Sequence, residues 1–322
     1  MRDSSANSGK TLQRLEKSVE AGNYYEAQQT YKTVYARYMA GRKYDEAMEL
    51  LQAGASVQLK HGQVTCGAEL AVLLIETFGK ASVPYTSTAL DRIIAIYNEF
   101  PKVDVGQIKA VSEDGSISEE TVEARTRVEG CSSFLKAAIK WSIESGGQSK
   151  GAPELHKMLA EYIWTQSPVP ELGKASIHFL RGNCPEAFAS AVVDCMSKCY
   201  QGEADLVVAR AILQYCSLGN LRDANILWSK VKEACSDKLP DTPLLHFIKF
   251  LLQTLERDAL PLFRMLRQNY KLSIERDPTF DEYLDDIAER FFNVRRKTGI
   301  QGMLGDIMKV TLILLGEVTV SS

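Results

Sequence analysis

The chain has 322 residues, with 38 Lys and Arg against 41 Asp and Glu. A formal net charge of −3 excludes a nucleic-acid binder that works through bulk positive charge. Hydrophobic residues at 45% and charged residues at 25% suit a chain that buries a large core, as one elongated or two compact units.

No run approaches the ~20 apolar residues of a membrane-spanning helix, and the polar start from Met1 to Lys10 lacks a signal-peptide core. Seven cysteines without a paired spacing beyond Cys195-x-x-x-Cys199 point to a reducing compartment, so the cytosol is expected.

In chain order, residues 1–9 read as a disordered polar tip. Lys10 to Glu20 places Leu12, Leu15 and Val19 on one helical face. Gly22-Asn23 then breaks the pattern. A tyrosine stripe follows at three- and four-residue steps through Tyr24, Ala27, Tyr31, Val34, Tyr35 and Tyr38. Gly41 opens the next break, before Tyr44, Ala47, Met48, Leu51 and Ala55. Thr65 to Phe78 is apolar almost all round, which predicts a central helix covered by its neighbours. Ser87 to Phe100 is another amphipathic helix, closed by Pro101.

Pro101 to Glu119, with Gly106, Gly115 and several serines, reads as a long connection. A helix through Phe134, Leu135, Ala138 and Trp141 comes next, then a flexible Ser145–Gly151 loop. Pro153 sits where the first turn of a helix tolerates proline. Helical patterns continue over Leu155–Trp164, Gly173–Leu180, Pro185–Tyr200, Ala204–Leu218 and Leu221–Ala234. Cys235 to Thr242 is the expected non-helical excursion. Beyond it lie the apolar Leu244–Leu252 run and helices over Leu260–Tyr270 and Phe280–Phe292. The tail from Lys309 is strand-like in pattern.

One turn signature recurs. It reads Gly22-Asn23-Tyr24-Tyr25-Glu26-Ala27, Gly41 to Ala47, Gly182-Asn183-Cys184-Pro185-Glu186-Ala187 and Gly219-Asn220-Leu221-Arg222-Asp223-Ala224. Gly tolerates the left-handed backbone that ends a helix, and a small Ala one turn into the next lets two helices approach closely. Stacked helix pairs of this kind make binding surfaces more often than active sites.

Catalytic motifs fail on context. Gly9-Lys10-Thr11 lacks the strand and the Gly-rich cradle of a phosphate-binding loop. Ser133-Phe134-Leu135-Lys136 lies mid-helix without companion motifs. The four histidines, His61, His156, His178 and His246, never stand four apart. Cys195 and Cys199, one turn apart, either share a metal or pack as small hydrophobes, and no second ligand pair supports the metal. Asp281, Glu282, Asp285, Asp286 and Glu289 read as a solvated helix face. The tyrosine stripe reads as half-buried packing or as part of a partner surface, with Arg14, Lys17, Arg37, Arg42 and Lys43 supplying positive charge and Glu69 an acidic counterpart.

The run Ser18 to Ala27, with Arg37-Tyr38-Met39, Glu46-Ala47, Gly54-Ala55 and Gly67-Ala68-Glu69-Leu70, resembles the Golgi-to-ER traffic protein four family. So do Arg276-Asp277-Pro278-Thr279-Phe280-Asp281-Glu282-Tyr283-Leu284, Phe291 to Val294, and the Leu244–Leu252 run. The similarity covers roughly residues 10–308. It implies an all-α fold, an α-solenoid of stacked antiparallel helix pairs distantly like tetratricopeptide repeats, with a short β-hairpin between Cys235 and Thr242.

By the same resemblance, residues 10–150 dock on a homodimeric targeting ATPase in its nucleotide-bound state. Residues 151–308 grip a ubiquitin-like-domain partner, which recruits a co-chaperone carrying tail-anchored client protein. The positions carried over for the ATPase are Lys10, Arg14, Tyr24 and Glu69; Ala40 stands where some members hold a basic residue. Those for the ubiquitin-like partner are Leu244, Phe247, Ile248 and Leu251. Residues 309–322 carry no assigned role, and no cofactor, metal or catalytic residue is implied. Two other readings stay open: a helical-repeat scaffold with different partners, and a small helical enzyme whose site is assembled from dispersed residues.

Overall fold

The structure is a computed structural model that describes residues 12–103, 118–169, 171–200, 202–236 and 239–294. The expected tip at 1–9, Lys10 and the tail at 309–322 lie outside the described residues, as does most of the Pro101–Glu119 connection. Every regular element among the described residues is a helix. Two compact units divide at Val192/Val193, beyond the 150/151 boundary expected from the sequence.

In the first unit, α1 covers residues 12–20. It is followed by α2 (Tyr24–Ala40), α3 (Tyr44–Lys60), α4 (Val64–Lys80), α5 (Ser87–Glu99) and α6 (Glu119–Glu144). Then come α7 (Pro153–Gln166), α8 (Leu172–Arg181) and α9 (Pro185–Lys198), the last running across the division. Helix α2 packs on α3, α3 on α4, α4 on α6, α6 on α7 and α7 on α8, with α5 against α3. The stack therefore passes straight over residue 150, where the Ser145–Gly151 loop is only a turn between packed helices. The glycines at that loop mark a tight corner and not a gap in the core.

The second unit holds α10 (Ala204–Ser217), α11 (Leu221–Cys235), α12 (Pro243–Glu256), α13 (Leu260–Asn269), α14 (Lys271–Ile274) and α15 (Thr279–Phe292). Helix α10 packs on α11, α12 and α15, and α12 on α13. Each unit is thus the helix-on-helix stack expected of an α-solenoid.

The turns explain the stacking. Four of them close with the N–H of one residue bonded to the carbonyl five residues back: Asn23 to Ser18, Lys43 to Tyr38, Gln63 to Gln58 and Val83 to Phe78, at 2.9–3.0 Å. This is the Schellman arrangement, which needs one left-handed residue. That residue is Gly22, Arg42, Gly62 and Ser82 in turn. A fifth copy joins Asn220 to Tyr215 with Gly219 left-handed. At Gly41 and Gly182 the signature glycine is not the left-handed residue; Arg42 and Asn183 are. Ala27, Ala47 and Ala224 are buried as the close-approach role requires, whereas Ala187 is half-exposed and its neighbours Phe188 and Ala189 fill the core.

The Cys235–Thr242 excursion contains no strand among its described residues; Asp237 and Lys238 lie outside them. Cys235 still belongs to α11, and Thr242 already caps α12 by accepting from the Leu245 N–H. The two helix ends therefore take Cys235, Ser236 and Thr242 of the segment expected to form a hairpin.

Candidate partner-binding surfaces

Helix α2 turns Tyr24, Gln28 and Lys32 to one side, at four-residue steps. Tyr24 begins the row, half-buried, its ring 6.0 Å from that of His61 at the end of α3 and its carbonyl accepting from the Gln58 amide at 2.9 Å. Gln28 and Lys32 both donate to the Glu69 carboxylate on α4, at 2.8 and 2.5 Å. The Glu69 side chain remains half-exposed. Tyr24 thus lies one turn before Gln28 on the α2 row that reaches Glu69 of α4. Arg14 is exposed on α1, next to the buried Leu15, and among the described residues no hydrogen bond or ion pair joins it to that edge of α2. Lys10 lies outside the described residues. Within the tyrosine stripe, Tyr31 and Tyr35 are core, and burial pushes the Tyr31 phenol far above its ordinary range. Exposed Tyr25 lies off the stripe.

Beside this edge, α2, α4 and α6 enclose an open groove of about 500 Å³. Its floor is Ala68, Val72 and Leu73 of α4; its walls include Lys32 and Glu69 on one side and Glu129 of α6 on the other. Val72 and Leu73 are only partly covered, so α4 is not the fully enclosed helix its composition suggests.

The residues expected to grip the second partner are elsewhere. Leu244, Phe247, Ile248 and Leu251 of α12 are 0–1% exposed and form the core of the second unit. A helix this apolar must bury its widest face, and the nearest face to cover it belongs to the same chain. The outward residues of α12 are Pro243, His246, Lys249, Phe250, Gln253 and Glu256. Exposed apolar side chains of this unit are Phe250, Leu262, Met265, Leu272 and Tyr200.

Other residues turn out to have structural work that spacing did not disclose. Arg276 donates to both oxygens of buried Asp205 at 2.7 and 3.1 Å, while Arg210 donates to buried Asp277. This reciprocal clasp ties the turn before α15 to α10. Burial alone would raise the Asp277 carboxyl, but hydrogen bonds from Arg210 and Thr279 outweigh it and hold it below the ordinary range. The acidic row on α15 is not wholly a solvated face: Arg267 bridges Asp281 and Asp285. The sulfurs of Cys195 and Cys199 lie 3.9 Å apart, and burial followed by the neighbouring thiol pushes Cys195 up to about 11. Among the described residues no group of three or more His, Cys, Asp or Glu is placed to hold a metal. No described helix is long and apolar enough to cross a membrane.

A family model described as Golgi to ER traffic protein 4 matches residues 41–309. The Arabidopsis thaliana protein GET4 is 48% identical over 306 residues, covering 93% of this chain and 94% of that protein. The Dictyostelium discoideum homolog of Golgi to ER traffic protein 4 is 35% identical (93% and 88% covered), and the Homo sapiens homolog 33% (92% and 84%). A crystal structure of C. therm. Get4 shares the fold with a TM-score of 0.73 at 24% identity, covering 94% of this chain and 95% of that one. By model match and by identity, the chain belongs to the Golgi to ER traffic protein 4 family.

Proposed function

We propose that the protein is a cytosolic, non-enzymatic adaptor that bridges a homodimeric targeting ATPase and a ubiquitin-like-domain partner, and so promotes delivery of tail-anchored proteins to the ER membrane. The observation that carries the reading is the α2–α4 edge, where Tyr24 and Glu69 keep exposed atoms either side of the Gln28–Glu69 hydrogen bond, in a member of this family. Exposed Arg14 adds positive charge on α1. A contact made of charges and a tyrosine suits fast, reversible capture of a partner that must leave again. In the second unit the partner meets outward apolar side chains such as Phe250, Leu262 and Met265, since the inner face of α12 is already occupied by the chain's own core.

The test is retention of the ATPase by immobilised chain, with and without nucleotide. Wild type is expected to hold it only with nucleotide present. Arg14→Glu and Glu69→Lys are each expected to weaken it about tenfold or more, equivalent to ~1.4 kcal/mol. Retention that ignores nucleotide and both reversals would instead favour a helical scaffold serving other partners.

A further inference from the structure

We propose that the groove between α2, α4 and α6 is a docking site for an amphipathic helix of a protein partner, one carrying an apolar stripe with a Lys or Arg beside it. The groove exists because α6 lies very close to α4. A Cβ on Gly130 would stand 2.9 Å from Val64 Cγ1 and 3.2 Å from Ala68 Cβ. Small residues at that crossing leave the floor low, and partly covered Val72 and Leu73 line it.

The shape selects the occupant's backbone. Floor positions Thr65, Ala68 and Val72 and wall positions Thr126, Glu129 and Ser133 each follow one helix over about two turns, a length of ~10 Å. The walls are helices whose backbone groups are satisfied internally, and no strand edge exists among the described residues. An extended peptide would leave its own N–H and C=O groups unpaired against this apolar floor. A helix satisfies them within itself and presents side chains once per turn, the pattern of helix-in-groove recognition.

Charge selects the flank. Lys32 and Glu69 neutralise one another on one wall. Glu129 is exposed on the other, and among the described residues no ion pair engages it. The mouth is therefore net negative and complements a basic residue on the incoming helix. Glu69 is shared with the proposed ATPase contact, but Arg14 is not part of the groove, so the two ideas separate by mutation.

A displayed library of helical peptides of about four turns, selected on the full chain and counter-selected on Ser133→Trp, reads the occupant's chemistry directly. Enriched sequences are expected to carry apolar residues at i, i+3 or i+4 and i+7 with a flanking Lys or Arg. Their binding should drop at least tenfold with Ser133→Trp, stay unchanged with Arg14→Glu, and shift toward Glu-bearing peptides with Glu129→Lys. No enrichment, enriched sequences without that stripe and basic flank, or binding indifferent to a folded Ser133→Trp variant would overturn the proposal. Circular dichroism and a thermal melt establish folding, and exposed Thr126→Trp replaces Ser133→Trp if the latter fails to fold. ATPase retention that Arg14→Glu abolishes, alongside no peptide enrichment, would sink the groove proposal and leave the proposed function standing.

Discussion

His156 and His178 stand twenty-two positions apart in sequence, yet their rings stack with centroids 5.1 Å apart and their Nδ1 atoms 2.8 Å from each other. His156 Nε2 lies 2.9 Å from the Lys150 carbonyl, which only accepts, so that nitrogen donates. Its Nδ1 is then the acceptor for the Nδ1–H of His178, and the pair fits together only when His156 is neutral. Burial lowers the His156 pKa, the Lys150 hydrogen bond partly opposes it, and the Arg181 charge lowers it again. Burial, followed by the charges of His156, Arg181 and Lys136, pushes His178 down to about 3. A histidine whose folded pKa is depressed stabilises the fold above its unfolded value near 6.5 and loses that contribution as pH falls. Stability should therefore decline from about pH 6.5 toward the His178 folded value near 3, by up to about 1.4 kcal/mol per pH unit for that ring. Urea melts at pH 7.5, 6.5, 5.5 and 4.5 measure it. His178→Phe, which keeps the stacking but cannot titrate, is expected to flatten that slope; an equal slope in the variant contradicts the assignment. Asp277, held low by Arg210 and Thr279, loses its contribution only at more acid pH, below the ordinary carboxylate range.

At the scale of helices, glycines inside α3 and α4 set how near the layers come. A Cβ on Gly67 would sit 2.6 Å from Leu59 Cγ and 3.2 Å from the Ala55 carbonyl oxygen, and Leu59 is fully buried with nowhere to go. Gly67→Ala gains about 1 kcal/mol in helix propensity, but overpacking a filled core costs ~1–3 kcal/mol. The variant is expected to be less stable by about 1 kcal/mol, with a lower Tm; a stabilised variant would show that α3 and α4 are free to part. This level was also the most legible in the sequence. Apolar periodicity located the helices from Tyr24 onward, and the Gly–Ala signature located several turns. The 20-residue recurrence of left-handed residues at 22, 42, 62 and 82 escaped notice because two of them are Arg42 and Ser82, whose side chains announce no turn. The same limit applies to surfaces. Composition marks α12 as sticky but does not say that Leu244, Phe247, Ile248 and Leu251 are already covered, because burial depends on which helix packs against it. The Arg276–Asp205 and Arg210–Asp277 clasp joins positions about seventy apart, a distance at which opposite charges look unrelated. By contrast Tyr24 and Glu69 were singled out by family likeness alone, and the fold sets Tyr24 one turn from Gln28, the hydrogen-bond partner of Glu69.

For the whole molecule, the proposed task is to hold two proteins at once, through two proposed contacts of different physical kind. Arg14, Lys17, Arg37 and Arg42 are exposed in the first unit, and exposed charges are screened over about 10 Å at 0.1 M salt. The second unit offers apolar side chains such as Phe250, Leu262, Met265 and Leu272, whose burial salt weakens little. Tethering needs both properties. On the proposed function one partner stays bound, so its client remains at high effective concentration, while the other arrives by electrostatic steering and departs. Titrations from about 50 to 300 mM NaCl should therefore weaken ATPase binding about tenfold or more. Binding of the ubiquitin-like partner should change by less than about twofold over the same range. Replacing Phe250 and Met265 with Gln should reverse the dominance, costing the second contact its strength and leaving the first untouched. Parallel salt slopes for the two partners would mean that both contacts are electrostatic, and the division between a holding end and a releasing end would then have no physical basis.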